Sequence, residues 1–324
     1  MAAWHAAARI SRVGQLVLGL LWLIDGALQF QPYMFGRTFI TGVILPSASG
    51  QPGIIRTPIA WIAGLIEPRV AVFNALAATL QVVIGVGLLY RRTVKPALLV
   101  SFFWATSIWF AGEGLGMLFT GTASPLTGAP GAALLYCLVG LMCWPPAATI
   151  SVSGSRLVRL PERFGEPAAR CAWAAIWLGS AVLWLLPAND GAEAAHDAIV
   201  AVPSGAGWLS NVLSSAAKVT AGRGTTIAIA MATLSIAIGV SVVCSWHARL
   251  FLALAIVISI GYWSIGQGLG GVFTGQATDV GTAPVMILIA SICFARESAT
   301  RAQHPPTRSE LRDSQGEARP VSVW

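Results

Sequence analysis

The sequence predicts an all-α, polytopic membrane protein with eight transmembrane helices arranged as two parallel four-helix repeats. Three observations carry this. Of 324 residues, 56% are hydrophobic and only 10% charged, where a soluble domain carries about 25% charged residues. Apolar runs long enough for membrane helices recur along the chain. The chain also resembles itself at an offset of 154 residues.

A bilayer core of about 30 Å needs roughly 20 apolar residues per helix. Such runs lie near 13–31, 69–90, 96–116, 129–145, 170–187, 224–244, 249–270 and 282–295, the last being short. They are continuous and do not alternate as barrel strands would, so helix is the conformation that satisfies their backbone in lipid. This composition excludes a water-soluble enzyme, a disordered chain and a nucleic-acid-binding domain. The net charge of +7 comes from arginines scattered through loops, with no single basic face.

The Lys/Arg distribution orients the bundle. With eight spans and both termini inside, fifteen of the twenty Lys and Arg residues fall in cytoplasmic segments and five outside, the bias expected of a cell-membrane protein. Trp61, Trp109, Trp208 and Trp263 fall near outer boundaries, and Trp144, Trp173 and Trp246 near inner ones, as an aromatic belt predicts. Arg9, Arg12 and the run Val13–Ile24 resemble a signal peptide, but Asp25 ends the run without a small-residue cleavage site, so retention as the first span is expected. Five cysteines and four histidines show no spacing for a metal site.

The internal match is strongest between GEGLGMLFTGTASPLTGAP (112–130) and GQGLGGVFTGQATDVGTAP (266–284), identical at ten of nineteen positions without a gap. The same offset pairs Ile84-Gly85-Val86 with Ile238-Gly239-Val240, Trp109 with Trp263, and Arg69 with Arg223. An even number of spans per copy makes the repeats parallel. The expected division is a first repeat over 1–145, a cytoplasmic linker at 146–169, a second repeat over 170–296 and a disordered cytoplasmic tail at 297–324. Short interfacial helices are expected near 54–66 and 207–219. For the G-x-G-L-G segments, two readings stand. Gly112 and Gly116, like Gly266 and Gly270, have the spacing that packs helices closely, and glycines here also suit helix termination; alternatively the Gly-rich helix ends and following loops line an outer cleft.

The span pair QVVIGVGLLYRRTVKPALLVS (81–101), with Arg12, Gly19 and Gly26 in the first span, resembles the DoxX-like membrane proteins (DoxX and MauE types). The resemblance covers the helical core of each half; the loop 32–66 and the GEGLG segment lie outside it. It implies four-helix bundles and association with extracytoplasmic redox chemistry, either quinone-linked or in enzyme maturation.

The two halves differ in their polar residues. At an offset of 155, which pairs Trp22 with Trp177 and Pro32 with Pro187, Asp25 aligns with Ser180; at 154, Glu67 aligns with Ala221, Asn74 with Ala228, Gln81 with Ser235 and Glu113 with Gln267. An intramembrane carboxylate costs roughly 2.5–3.5 kcal/mol on insertion scales and points to function. Asp25 and Gln29, four apart, share a helix face, and Glu67, Asn74 and Gln81 form a second stripe. Asp25, Gln29, Asn74 and Glu113 are the expected polar pocket. Glu67, Arg69 and Arg223 are candidate ion-pair partners, with Glu67 before Pro68 also suited to cap a helix. Arg69 or Arg37 is a candidate partner for Asp25. Asp279 is expected to be a solvated turn residue.

Three functions fit. The first is a membrane subunit of an extracytoplasmic redox or enzyme-maturation system, whose pocket binds a quinone or relays protons to it, with a separate redox protein as partner. The second is a small-solute transporter or channel, and the third a non-catalytic scaffold. The lipid bilayer is a partner in every case, nucleic acid in none.

Overall fold

The computed structural model describes residues 2–145 and 166–303, and those residues are helices and turns without strands. In the first half, α1 (Ala2–Leu28), α2 (Gly53–Ile66), α3 (Val70–Leu89), α4 (Val94–Ala111) and α5 (Ala132–Met142) follow one another. In the second half come α6 (Glu166–Trp184), α7 (Ala194–Val200), α8 (Gly207–Thr220), α9 (Gly224–Val243), α10 (Ala248–Gly261) and α11 (Thr282–Gln303). All eight apolar runs are helical, and so are the two short segments expected near 54–66 and 207–219.

Five stretches are long and apolar enough to cross a membrane: Ala8–Leu28, Gly53–Leu89, Val94–Ala111, Gly224–Val243 and Ala248–Gly266. The chain is an α-helical membrane protein. Leu76, Phe103 and Val257 project from these stretches with 60–70% of their surface exposed. Such an apolar outer surface suits lipid and would drive aggregation in water. Gly53–Leu89 exceeds one crossing of the bilayer, and the turn Glu67–Arg69 divides it.

Helix ends differ from the expected bounds where the backbone turns. Helix α4 closes at Ala111, where a run to 116 was expected, and the backbone turns left-handed from Gly114 to Gly116. Helix α11 continues to Gln303, so 297–303, expected as tail, are helix, as are 166–169 of the expected linker. Residues 146–165 and 304–324 of the expected linker and tail lie outside the described residues.

Small residues set the closest helix pair. A Cβ on Gly19 of α1 would lie 3.0 Å from the Gly85 carbonyl oxygen of α3, and one on Gly85 would lie 2.8 Å from the Gly19 oxygen. That mutual approach is what small residues permit between membrane helices. Helices α6 and α9 pair likewise in the second half, and α11 packs against both α1 and α5, joining the halves into one core. The tryptophans divide by role. Trp61, Trp208 and Trp246 are exposed. Trp173, expected in the belt, is fully buried and donates to Ile238 O. Trp109 and Trp263 turn inward to donate to the Pro130 and Val280 carbonyls, each at 2.8 Å.

Candidate functional site

A cavity of about 310 Å³ is lined mainly by the first half. Asp25 reaches it from the last turn of α1, Gln81 from the middle of α3, Tyr136 from α5, and Glu113 from the turn after α4. Its walls are aromatic and aliphatic, including Trp22, Phe39, Phe73, Trp104 and Phe110. The loop 32–66 supplies Phe39, Val43, Ile44, Ile62 and Ile66 to this wall. Ser47 anchors that loop by donating to Ala111 O, and Gln51 by donating to Gly114 O.

Two carboxyl groups here are bound alike. Asp25 Oδ2 accepts the Tyr136 hydroxyl at 2.7 Å, while its Oδ1 has no partner among the described residues. Glu113 Oε1 accepts the Ala133 amide at 3.0 Å, while its Oε2 has none. Gln29 Oε1, Gln81 Oε1 and Trp104 Nε1 are likewise buried and unpartnered. Asp25, Gln29 and Gln81 are at most 5% exposed. Buried polar atoms without partners are rare and call for an explanation. Glu113 lies beyond the span ending at Ala111; burial, and next the charge of Asp279, push its carboxyl up to about 8.

Of the four expected pocket residues, Asp25, Gln29 and Glu113 line the cavity together. Asn74 does not: it is fully buried behind the wall and donates to Gln29 O at 2.6 Å, holding the end of α1. The expected stripe on α3 keeps Asn74 and Gln81 but loses Glu67. That residue sits in the turn before α3 and receives the guanidinium of Arg37 at 2.7 Å, on the exposed surface. Among the described residues Arg69 and Arg223 enter no ion pair, and Asp25 meets Tyr136 instead of an arginine.

Two site residues escaped sequence reasoning. Tyr136 lies in a plain apolar run, and only its OH marks it. Asp279 comes from the second half; it is a turn residue as expected, but it is half-buried and lines the cavity. Its Oδ1 accepts Gly281 N and its Oδ2 the Thr278 hydroxyl, a local turn that ties the carboxylate down at the seam between the halves.

A second cavity, about 590 Å³, lies between the halves. Gly116, Gly128 and Gly131 of one half line it with Gly266, Gly270 and Gly281 of the other. The Gly-rich segments are therefore turns bordering a cleft; the first of them follows the end of α4 at Ala111, so helix termination holds, and a packing face carrying Gly112 and Gly116 on one helix does not. Gly116 and Gly270 have φ of 64° and 71°, and a Cβ on them would strike Pro130 O at 2.0 Å and Val280 O at 2.4 Å.

The two segments correspond bond for bond. Thr120 and Thr274 each accept from the amide two residues on, at offset 154. The alignment then shifts. Trp109 meets Pro130 where Trp263 meets Val280, and Glu113 meets Ala133 where Gln267 meets Ala283. Beyond the loop the offset is 150, so Ala129-Pro130 and Ala283-Pro284 match in sequence without occupying equivalent places. The halves also exchange bonds: Gln31 donates to Ala277 O, and Asn189 to Ala123 O, two carbonyls 154 residues apart. In the second half, Trp184 and Tyr262 form a hydrogen-bonded pair within an apolar cluster containing Ala181 and Ala228.

No known protein family, curated protein or solved structure matches the chain.

Proposed function

We propose that this chain is a cell-membrane protein of eight spans, built as two DoxX-like four-helix repeats about a pseudo-two-fold axis, with both termini cytoplasmic. We further propose that its first repeat binds the ring of a membrane-soluble quinone within an extracytoplasmic redox or enzyme-maturation system. The paired hydrogen bonds of the two halves support the repeat, and the Lys/Arg bias supports the orientation.

One observation carries the pocket reading. Two acids face an aromatic-walled cavity, each with one oxygen held by a protein donor and the other left without one. The free oxygen either carries a proton toward a ligand carbonyl or accepts a ligand hydroxyl. A bound quinone supplies electron carriage and two ring oxygens that exchange protons. Tyr136 fixes Asp25, and the Ala133 amide fixes Glu113. Trp104 Nε1 offers a further donor, and Trp22, Phe73 and Phe110 supply apolar surface for a flat ring. A volume near 310 Å³ suits a headgroup without its tail.

The test is binding of a short-chain quinone to the full-length protein in lipid nanodiscs, read by quenching of tryptophan fluorescence. Saturable binding, weakened at least tenfold in Asp25→Asn and Glu113→Gln, supports the reading. Absence of saturable binding, or binding indifferent to both substitutions, overturns it. The cavity between the halves favours passage of a small solute as a second reading; solute flux into proteoliposomes that disappears in Glu113→Gln, a residue lining that cavity, would select it.

A further inference from the structure

The two cavities share three residues: Glu113, Ala132 and Asp279. Two of the three are acids, one from each half. On the inner side lie Asp25, Gln29 and Gln81, almost wholly buried, each with an oxygen that has no hydrogen-bond partner among the described residues. On the other side the cleft presents Thr122, Ser124, Thr127, Thr282 and Gln267 with glycine backbone, a polar lining in which Thr122 and Thr127 are exposed and Ser124 and Thr282 buried. We propose that protons reach the inner cavity from the extracytoplasmic side, through this cleft and between Glu113 and Asp279, so that the second half completes the site of the first. The proposal rests on the orientation and protonatable pocket inferred above, and not on the identity of the ring ligand.

The geometry divides the work between the two acids. Both oxygens of Asp279 already accept donors, Gly281 N at 2.7 Å and the Thr278 hydroxyl at 2.8 Å, which hold the side chain in place. Glu113 has one oxygen engaged and one open, as suits a group that takes and releases a proton. The groups acting electrostatically around them are Asp25 from α1, Tyr136 and Cys137 from α5, and Asp279 from the loop before α11. Among the described residues no Lys, Arg or His lines either cavity. The counterpart of Glu113 is Gln267, which makes the same bond to an alanine amide and has no proton to pass. The route is therefore one-sided within a nearly symmetric frame.

The experiment uses dicyclohexylcarbodiimide, an apolar reagent that adds to protonated carboxyl groups. Right-side-out membrane vesicles carrying the full-length protein are held at luminal pH 7 while external pH runs from 6 to 9.5. Adduct on the Glu113 peptide is measured by mass spectrometry, with Glu113→Gln confirming the position. We expect labelling to fall as external pH passes through about 8, and to ignore a change of luminal pH at fixed external pH. In Asp279→Asn the midpoint moves down by half a unit or more, because the charge that favours the Glu113 proton is gone. Labelling that follows luminal pH, labelling flat across the range, or an unmoved midpoint in Asp279→Asn would each overturn the proposal. No quinone takes part, so a failed binding experiment and a failed labelling experiment are separate outcomes.

Discussion

Glu113 and Gln267 make the same hydrogen bond: each Oε1 accepts the amide of an alanine in the first turn of the helix that closes its half, Ala133 at 3.0 Å and Ala283 at 3.1 Å. The protein thereby contains its own control substitution. An amide performs the structural task, so the ionisable group at 113 is there for something else.

Glu113→Gln should leave the fold intact. The retained hydrogen bond limits the change in stability to about 1 kcal/mol, read as thermal melting in detergent, while quinone binding weakens at least tenfold. Unfolding of this variant would make Glu113 a structural residue.

Stability should depend on pH through the same side chain. The Glu113 carboxyl is raised from its ordinary value to about 8, so the folded state binds its proton more tightly than the unfolded state. That contribution is fully present below the ordinary glutamate pKa and is lost as pH rises through about 8. The melting temperature of the wild type should therefore fall between pH 5 and 9, and fall less in Glu113→Gln. Equal slopes in the two proteins would contradict the assignment.

Tyr136→Phe removes the hydroxyl that donates to Asp25 Oδ2. A buried acceptor left unpaired costs about 1–3 kcal/mol. Asp25→Asn in the same background should cost less than it does alone, since the two residues share one bond. Additive losses in the double variant would show that the contact contributes nothing.

Gly116→Ala and Gly270→Ala should each abolish folded protein in size-exclusion profiles, because a Cβ would overlap backbone oxygen in a left-handed turn. Gly121→Ala, also at positive φ but facing open space, should be tolerated better. Equal behaviour of the three would remove the close approach as the cause.

Glu67→Ala should matter little. Its pair with Arg37 is solvent-facing, and such pairs are worth about 0–1 kcal/mol. Quinone binding should be unchanged; a tenfold loss would return Glu67 to the pocket.

Helical periodicity and chain length made much of this architecture readable. Continuous apolar runs leave the backbone one solution in lipid, so each of the eight is helix. Buried acids and amides are costly there, so Asp25, Gln29 and Glu113 stood out before any fold was known. Asn74 satisfied the same rule yet serves the wall, because hydrogen bonding to a neighbouring helix explains a buried amide as well as ligand binding does. Glu67 shared a seven-residue spacing with Asn74, but the turn Glu67–Arg69 breaks the periodicity on which that inference relied.

Other features needed the third dimension. The glycine spacing in GEGLG fits a helix face and a left-handed turn equally, and only the backbone angles distinguish them. The four-residue shift between Pro130 and Val280 is hidden by the coincident Ala-Pro pairs, since identity of letters carries no information about which carbonyl meets which indole.

From its order of residues alone, this chain specifies helices, their number of apolar runs and the identity of most of its costly polar groups, because those depend on local spacing and on the cost of polarity in lipid. Tertiary structure alone decided that Tyr136 meets Asp25, that Asp279 crosses from the second half to Glu113, and that a cleft joins them. Such pairings join residues 111 and 166 positions apart, and they arise from how helices pack, which no local pattern encodes.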